Sequence, residues 1–120
     1  MPNDVQLVSG EVRFGEGNEA FSEATAYVRL EDVSRADAPS RTIAEQVIRH
    51  VSYQPGQSGK LVFDLTGPAP DEHARYTVSA HIDVDKDGQV GHGDYISMES
   101  NPVLTHGYPR VVIVLLRKVK

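Results

Sequence analysis

Apolar and polar residues alternate with a period of two along most of the chain, the pattern of strands that turn one face inward. Val5-Gln6-Leu7-Val8 leads into Gly10-Glu11-Val12-Arg13-Phe14. After a break at Gly15-Glu16-Gly17-Asn18 the alternation resumes in Ala26-Tyr27-Val28-Arg29-Leu30. The run Thr42 to Ile48, beyond the turn residues Asp37-Ala38-Pro39-Ser40, fits a helix through Ile43, Val47 and Ile48, but its β-branched content favours a strand. Leu61, Phe63 and Leu65 alternate between two turn-rich stretches, Pro55-Gly56-Gln57-Ser58-Gly59 and Gly67-Pro68-Ala69-Pro70. The best-defined strand starts at Tyr76: Tyr76, Val78, Ala80, Ile82 and Val84 face one way, and Thr77, Ser79, His81, Asp83 and Asp85 the other. Tyr95 to Met98 and the stretch around Val103 follow. Arg110 to Val119 reads as a central strand covered on both faces, with Lys118 and Lys120 blunting its end.

About seven or eight short strands, no convincing long helix and no fixed repeat predict an all-β domain, an antiparallel β-sandwich with a small barrel as the alternative. The 120 residues form one domain, 1–120, large enough to fold without staples. Cysteine is absent, which removes disulfides, thiolate metal sites and a catalytic thiol. Asp and Glu outnumber Lys and Arg by 17 to 12, and a net charge of −5 argues against nucleic acid as a partner. The first residues lack a secretory signal, and the longest apolar run, Val111 to Leu116, is too short for a transmembrane segment.

One segment carries chemistry. From Asp83 to Asp94 carboxylates stand at loop positions one, three, five and twelve (Asp83, Asp85, Asp87, Asp94), with Gly88 at six, which is the spacing of an EF-hand calcium loop. Calcium takes roughly six to eight hard oxygens, which alternating Asp side chains and the Gln89 backbone carbonyl at position seven would supply. Asp94 is one methylene shorter than the usual glutamate, Gly91 at position nine leaves a place for water, and strands flank the loop where an EF-hand has helices. The alternative is a solvated hairpin turning at Asp87-Gly88. The histidines His50, His73, His81, His92 and His106 show no zinc-ligand spacing, and His81 reads as an exposed strand residue. No nucleophile motif or complete phosphate loop is present; Leu61 follows Ser58-Gly59-Lys60 where a Ser or Thr would be needed.

Gly10-Glu11-Val12, the run Tyr27 to Ser40 with its Asp32-Val33-Ser34-Arg35-Ala36-Asp37-Ala38-Pro39 core, Ile43-Ala44, Ala74-Arg75-Tyr76, Gly93-Asp94-Tyr95 and Pro102-Val103 together carry a resemblance. The chain resembles the YbaY/YscW-type family of bacterial lipoproteins and secretion-pilotin-like domains over nearly its whole length. That resemblance implies a β-sandwich, a place in the periplasm or cell envelope, and an envelope or secretion protein as partner. A lipoprotein needs a lipid-carrying cysteine after its signal peptide and this sequence has none, so either an anchor has been trimmed or this member is a soluble, cytoplasmic version. The expected function is a non-enzymatic binding module with a structural calcium loop at 83–94. The alternative is a metal-dependent enzyme using the same loop, with His81 or His92 as acid or base.

Overall fold

Strands form wherever the sequence alternates, because each can then bury one row of side chains and leave the other in water. The computed structural model describes residues 4–14, 20–35, 37–57 and 59–119. The strands are β1 (Asp4–Phe14), β2 (Phe21–Asp32), β3 (Arg41–Tyr53), β4 (Gly59–Pro68), β5 (Tyr76–Asp83), β6 (Tyr95–Ser97), β7 (Pro102–Val103) and β8 (Val111–Lys118). The described residues contain no helix, and the ambiguous run at 42–48 lies inside β3. The break at Gly15 to Asn18, Ala36, Ser58 and Lys120 lie outside the described residues.

The hydrogen-bonded order is β3-β2-β5-β6-β8-β1-β4, with β7 paired to β5. Between sandwich and barrel the chain takes the second course: one sheet curls until it is nearly closed. At the remaining seam the edges of β3 and β4 lie side by side. Asp64 donates its backbone N–H to Gln46 Oε1 at 2.9 Å, and a Cβ on Gly67 would stand 3.6 Å from the Ala44 methyl.

Three expectations need correction. The sheet is not wholly antiparallel, since β8 runs parallel to β1, from Ser9 opposite Val111 to Arg13 opposite Leu115. β1, β2 and β3 are not short, at 11, 12 and 13 residues. Nor is β8 covered on both faces: Val114 and Leu116 point into the core, while Val111, Ile113 and Leu115 are exposed.

The core follows the alternation. Ala24, Ala26, Val28 and Leu30 of β2 meet Tyr76, Val78, Ala80 and Ile82 of β5, and Val8, Val12, Phe63, Leu65, Val114 and Leu116 complete one buried cluster. Leu7 and Val8 are adjacent yet both buried, which strict alternation forbids. A bulge between Gln6 and Val8 resolves this, because Gln6 pairs with Thr66 and Val8 with Leu65, leaving Leu7 as the extra residue. Phe14, Phe21, Tyr53 and Tyr95 close one end of the core, with ring centroids 5.7–6.0 Å apart in tilted and edge-on contacts.

Gly10 governs the β1–β8 junction. A Cβ built there would lie 1.8 Å from the Val112 carbonyl oxygen, a backbone atom that cannot turn aside. Gly10→Ala is therefore expected to cost about 3 kcal/mol or more in denaturant unfolding, or to prevent folding. Gly91→Ala, where a Cβ meets nothing within 4 Å, should stay within about 0.5 kcal/mol of the parent.

Candidate functional site

The loop from Val84 to Asp94 leaves β5 and returns as β6, whose pairing opposes His81 to Ile96 and Ile82 to Tyr95. It is too long for a tight hairpin at Asp87-Gly88. Lys86 (φ 61°), Gly88 (φ 79°) and Gly93 (φ 91°) turn its backbone. Asp83 and Asp94 stand where the loop leaves and rejoins the sheet, and both are buried, with 1% and 0% relative exposure. Asp85, Asp87 and Gln89 are exposed.

Asp94 ties the site together. Its Oδ1 accepts the Val84 N–H at 2.9 Å, and its Oδ2 accepts the Gly91 N–H at 3.2 Å and faces His81 Nε2 at 2.9 Å. Its own N–H reaches the Gly91 carbonyl at 3.0 Å, and its carbonyl accepts the Val119 N–H at 2.7 Å, just beyond β8. One residue thus holds the end of β5, the loop and the chain after β8.

His81 is not the exposed strand histidine its position suggests. Its side chain is 14% exposed, its ring stacks on Tyr27 with centroids 6.0 Å apart, and Arg29 covers the Tyr27 ring at 5.5 Å. The signal that could have located it is long-range, since Tyr27 lies directly opposite His81 across the β2–β5 ladder.

Four predicted ligands converge. Carboxylate oxygens of Asp83, Asp85, Asp87 and Asp94 lie within 4.8 Å of one another, as do ligand atoms of His81, Asp83 and Asp94. Gln89 is placed beside them through its backbone N–H, which donates to Asp87 Oδ1 at 2.9 Å. Asp83 accepts the Gly88 N–H on Oδ2 at 2.8 Å, while its buried Oδ1 has no hydrogen-bond partner. His92, the other histidine of the loop, is exposed.

A second surface was not foreseen. On the outer wall, Val111, Ile113 and Leu115 of β8 form an apolar lane, with Val111 67% and Leu115 62% exposed. Met98, 65% exposed, lines the same shallow groove as Ile113 and Leu115. On the β1 side the lane is bordered by charge: Glu11, opposite Ile113, accepts from Arg13 at 3.0 Å and pairs with Lys60 at 3.7 Å. Beyond Glu11 lies Val62 of β4, also exposed. The unbroken apolar run of β8 carries no alternation that would mark this lane as exposed.

Residues 3–115 match the family of type III secretion system lipoprotein chaperones, YscW. The chain belongs to the YscW family. A solved structure of an alternative pilotin from the type II secretion system of Vibrio cholerae is similar over 98% of each chain, at 29% identity and a TM-score of 0.76. No curated protein matches this chain. The resemblance seen in the sequence is therefore a family relationship, and the all-β architecture agrees with that relative. No helix among the described residues is long and apolar enough to cross a membrane.

The stretch that carried the resemblance most specifically, Asp32 to Pro39, does structural work in this YscW-family domain. Asp32 Oδ1 accepts both the Ser34 hydroxyl at 2.6 Å and the Ser34 N–H at 2.9 Å, while Ser34 Oγ accepts the Arg75 N–H at 2.9 Å. Glu31 accepts the hydroxyls of Ser40 and Ser79 at 2.6 and 2.7 Å. The corner after β2 is thereby fastened to the start of β5. The Ser34 hydroxyl, then the Ser34 N–H, hold the Asp32 carboxyl below its usual range. A lowered carboxylate stabilises the fold above its unfolded value, and the contribution fades as pH falls through the folded one. In a carboxyl-detected NMR titration Ser34→Ala should move the Asp32 midpoint upward, toward the ordinary value of about 3.9.

Proposed function

We propose that this domain is a non-enzymatic binding module of the bacterial cell envelope that acts as a chaperone or pilotin for a protein of a secretion apparatus. The observation that carries the reading is the apolar lane of Val111, Ile113 and Leu115 on a domain of the YscW family. A strand in a monomeric domain ordinarily presents polar side chains to water. Three aliphatic residues in register, extended by Met98 and edged by Glu11, Arg13 and Lys60, form instead a patch suited to an apolar-faced segment of another chain. The charged border fixes orientation and the apolar lane supplies affinity.

The polar chemistry supports binding over catalysis. His81 Nε2 is directed at Asp94 and its ring lies against Tyr27, a positioned and largely covered group. The acidic loop stands at the β5–β6 end of the domain, where it reads as a clamp on the fold. The partner is a secretion-apparatus protein, a secretion-pore protein being the kind that the family resemblance implies.

A photo-crosslinking residue at position 113, in bacteria carrying the matching secretion system, is expected to capture a component of that system. The same residue at Glu45, on the outer side of β3, serves as the control and should capture none. The double variant Ile113→Ser, Leu115→Ser should still fold, at a cost of about 1–2 kcal/mol, since both side chains are partly exposed but give up β-propensity and some burial. It should weaken partner binding at least about tenfold, as loss of two apolar anchors would. Unchanged affinity in the double variant, or substrate turnover by the purified domain, would overturn the reading.

A further inference from the structure

We propose that the β5–β6 loop binds one calcium ion, held by carboxylate oxygens of Asp83, Asp85, Asp87 and Asp94. The proposal stands apart from the partner-binding surface and does not depend on it.

The convergence of the four carboxylates is the first observation, with one oxygen of each lying within 4.8 Å of the others. Oxygens on opposite sides of a calcium ion stand about 4.6–5.2 Å apart, from coordination distances of about 2.3–2.6 Å, so a set this close can meet on one ion. Acidic side chains also gather in solvated turns, where water separates them. That explanation suits Asp85 and Asp87, which are exposed and take loop N–H groups on their Oδ1 atoms.

It does not suit Asp83. This side chain is 1% exposed and Oδ2 takes the Gly88 N–H, yet Oδ1 is buried without a hydrogen-bond partner. Buried carboxylate oxygens are ordinarily satisfied, since leaving one bare in a low-dielectric setting opposes folding. Asp94, also buried, belongs to the same group of converging carboxylates, so their repulsion adds to the mismatch. A divalent cation supplies what is missing: an electron-pair acceptor for Asp83 Oδ1 and charge to offset its neighbours.

The donor set selects the ion. All-carboxylate oxygen ligands on a loop favour a hard cation, and magnesium's strict octahedron and retained waters suit such a loop less well than calcium's tolerant sphere. Zinc would require His81 Nε2 to leave Asp94. With His81 in place, Val84 on Oδ1 and His81 and Gly91 on Oδ2 hold the Asp94 carboxylate in position, as outer-sphere groups do around metal ligands. A short Asp at the twelfth position and a glycine at the ninth point to modest affinity, in the range of about 10⁻⁴–10⁻³ M found in extracellular calcium modules.

The test uses the whole chain, freed of metal with chelator and dialysed at constant ionic strength. Calorimetric titration with calcium chloride should show one ion per chain. The melting midpoint should rise by about 5 °C or more between chelator and 10 mM calcium. Asp85→Asn with Asp87→Asn changes only exposed side chains, so the fold should persist while affinity falls at least about tenfold. Asp83→Asn should abolish binding and melt higher than the parent in chelator, because an amide placed where the bare oxygen lies can donate to the neighbouring carboxylates. The proposal fails if no saturable binding occurs up to 10 mM calcium. It also fails if Asp83→Asn still binds calcium, if Asp85→Asn with Asp87→Asn leaves the affinity unchanged, or if magnesium or zinc binds more tightly than calcium.

Discussion

Gly10 lets the backbones of β1 and β8 run close together, and almost every other feature of the molecule follows from that junction. Without it the chain would be two separate pieces, β1 with β4 and β2 with β3, β5, β6, β7 and β8, sharing no hydrogen-bonded ladder. The parallel register joins them into one curled sheet, and the absence of a side chain at Gly10 is the condition for it, since any Cβ would meet the Val112 carbonyl. The bulge at Leu7 on the same strand adds twist and brings an extra apolar side chain inside.

Closure also sets what the two faces of β8 can do. Its inward row, Val114 and Leu116, is consumed by the core. Its outward row is left over water as an exposed aliphatic surface. At the end of the same strand, Val119 exchanges backbone hydrogen bonds with Gly93 and Asp94, so the acidic loop is pinned to the closing strand. The apolar lane and the carboxylate cluster are therefore supported by one element.

Much of this was legible in the residues. The alternation from Tyr76 to Ile82 located β5 and its inward row, and the Asp spacing from 83 to 94 picked out the carboxylates that the fold gathers together. What escaped was non-local. Nothing in β8 announces that its partner is β1 or that they run parallel, and an unbroken Val-Val-Ile-Val-Leu-Leu run carries no alternation to reveal a wet face. His81 stands at a polar-face position, and Tyr27 and Asp94, both from elsewhere in the chain, help cover it. The motif from Asp32 to Pro39 marks the family, but its purpose, a hydrogen-bonded corner built on Asp32, Ser34 and Arg75, requires residues far apart in sequence.

The pairing of an early strand with the last one has a temporal side. Ser9 finds Val111 only after all the residues between them have been made, so the barrel cannot close while those residues are still being synthesised. Long-range pairing of this kind is slow because the intervening chain must be ordered first. Until then the edges of β1 and β6 that β8 covers are unprotected, the condition under which chains are captured by holding factors or aggregate. A polypeptide whose sheet stays open until β8 has been made remains threadable up to that point.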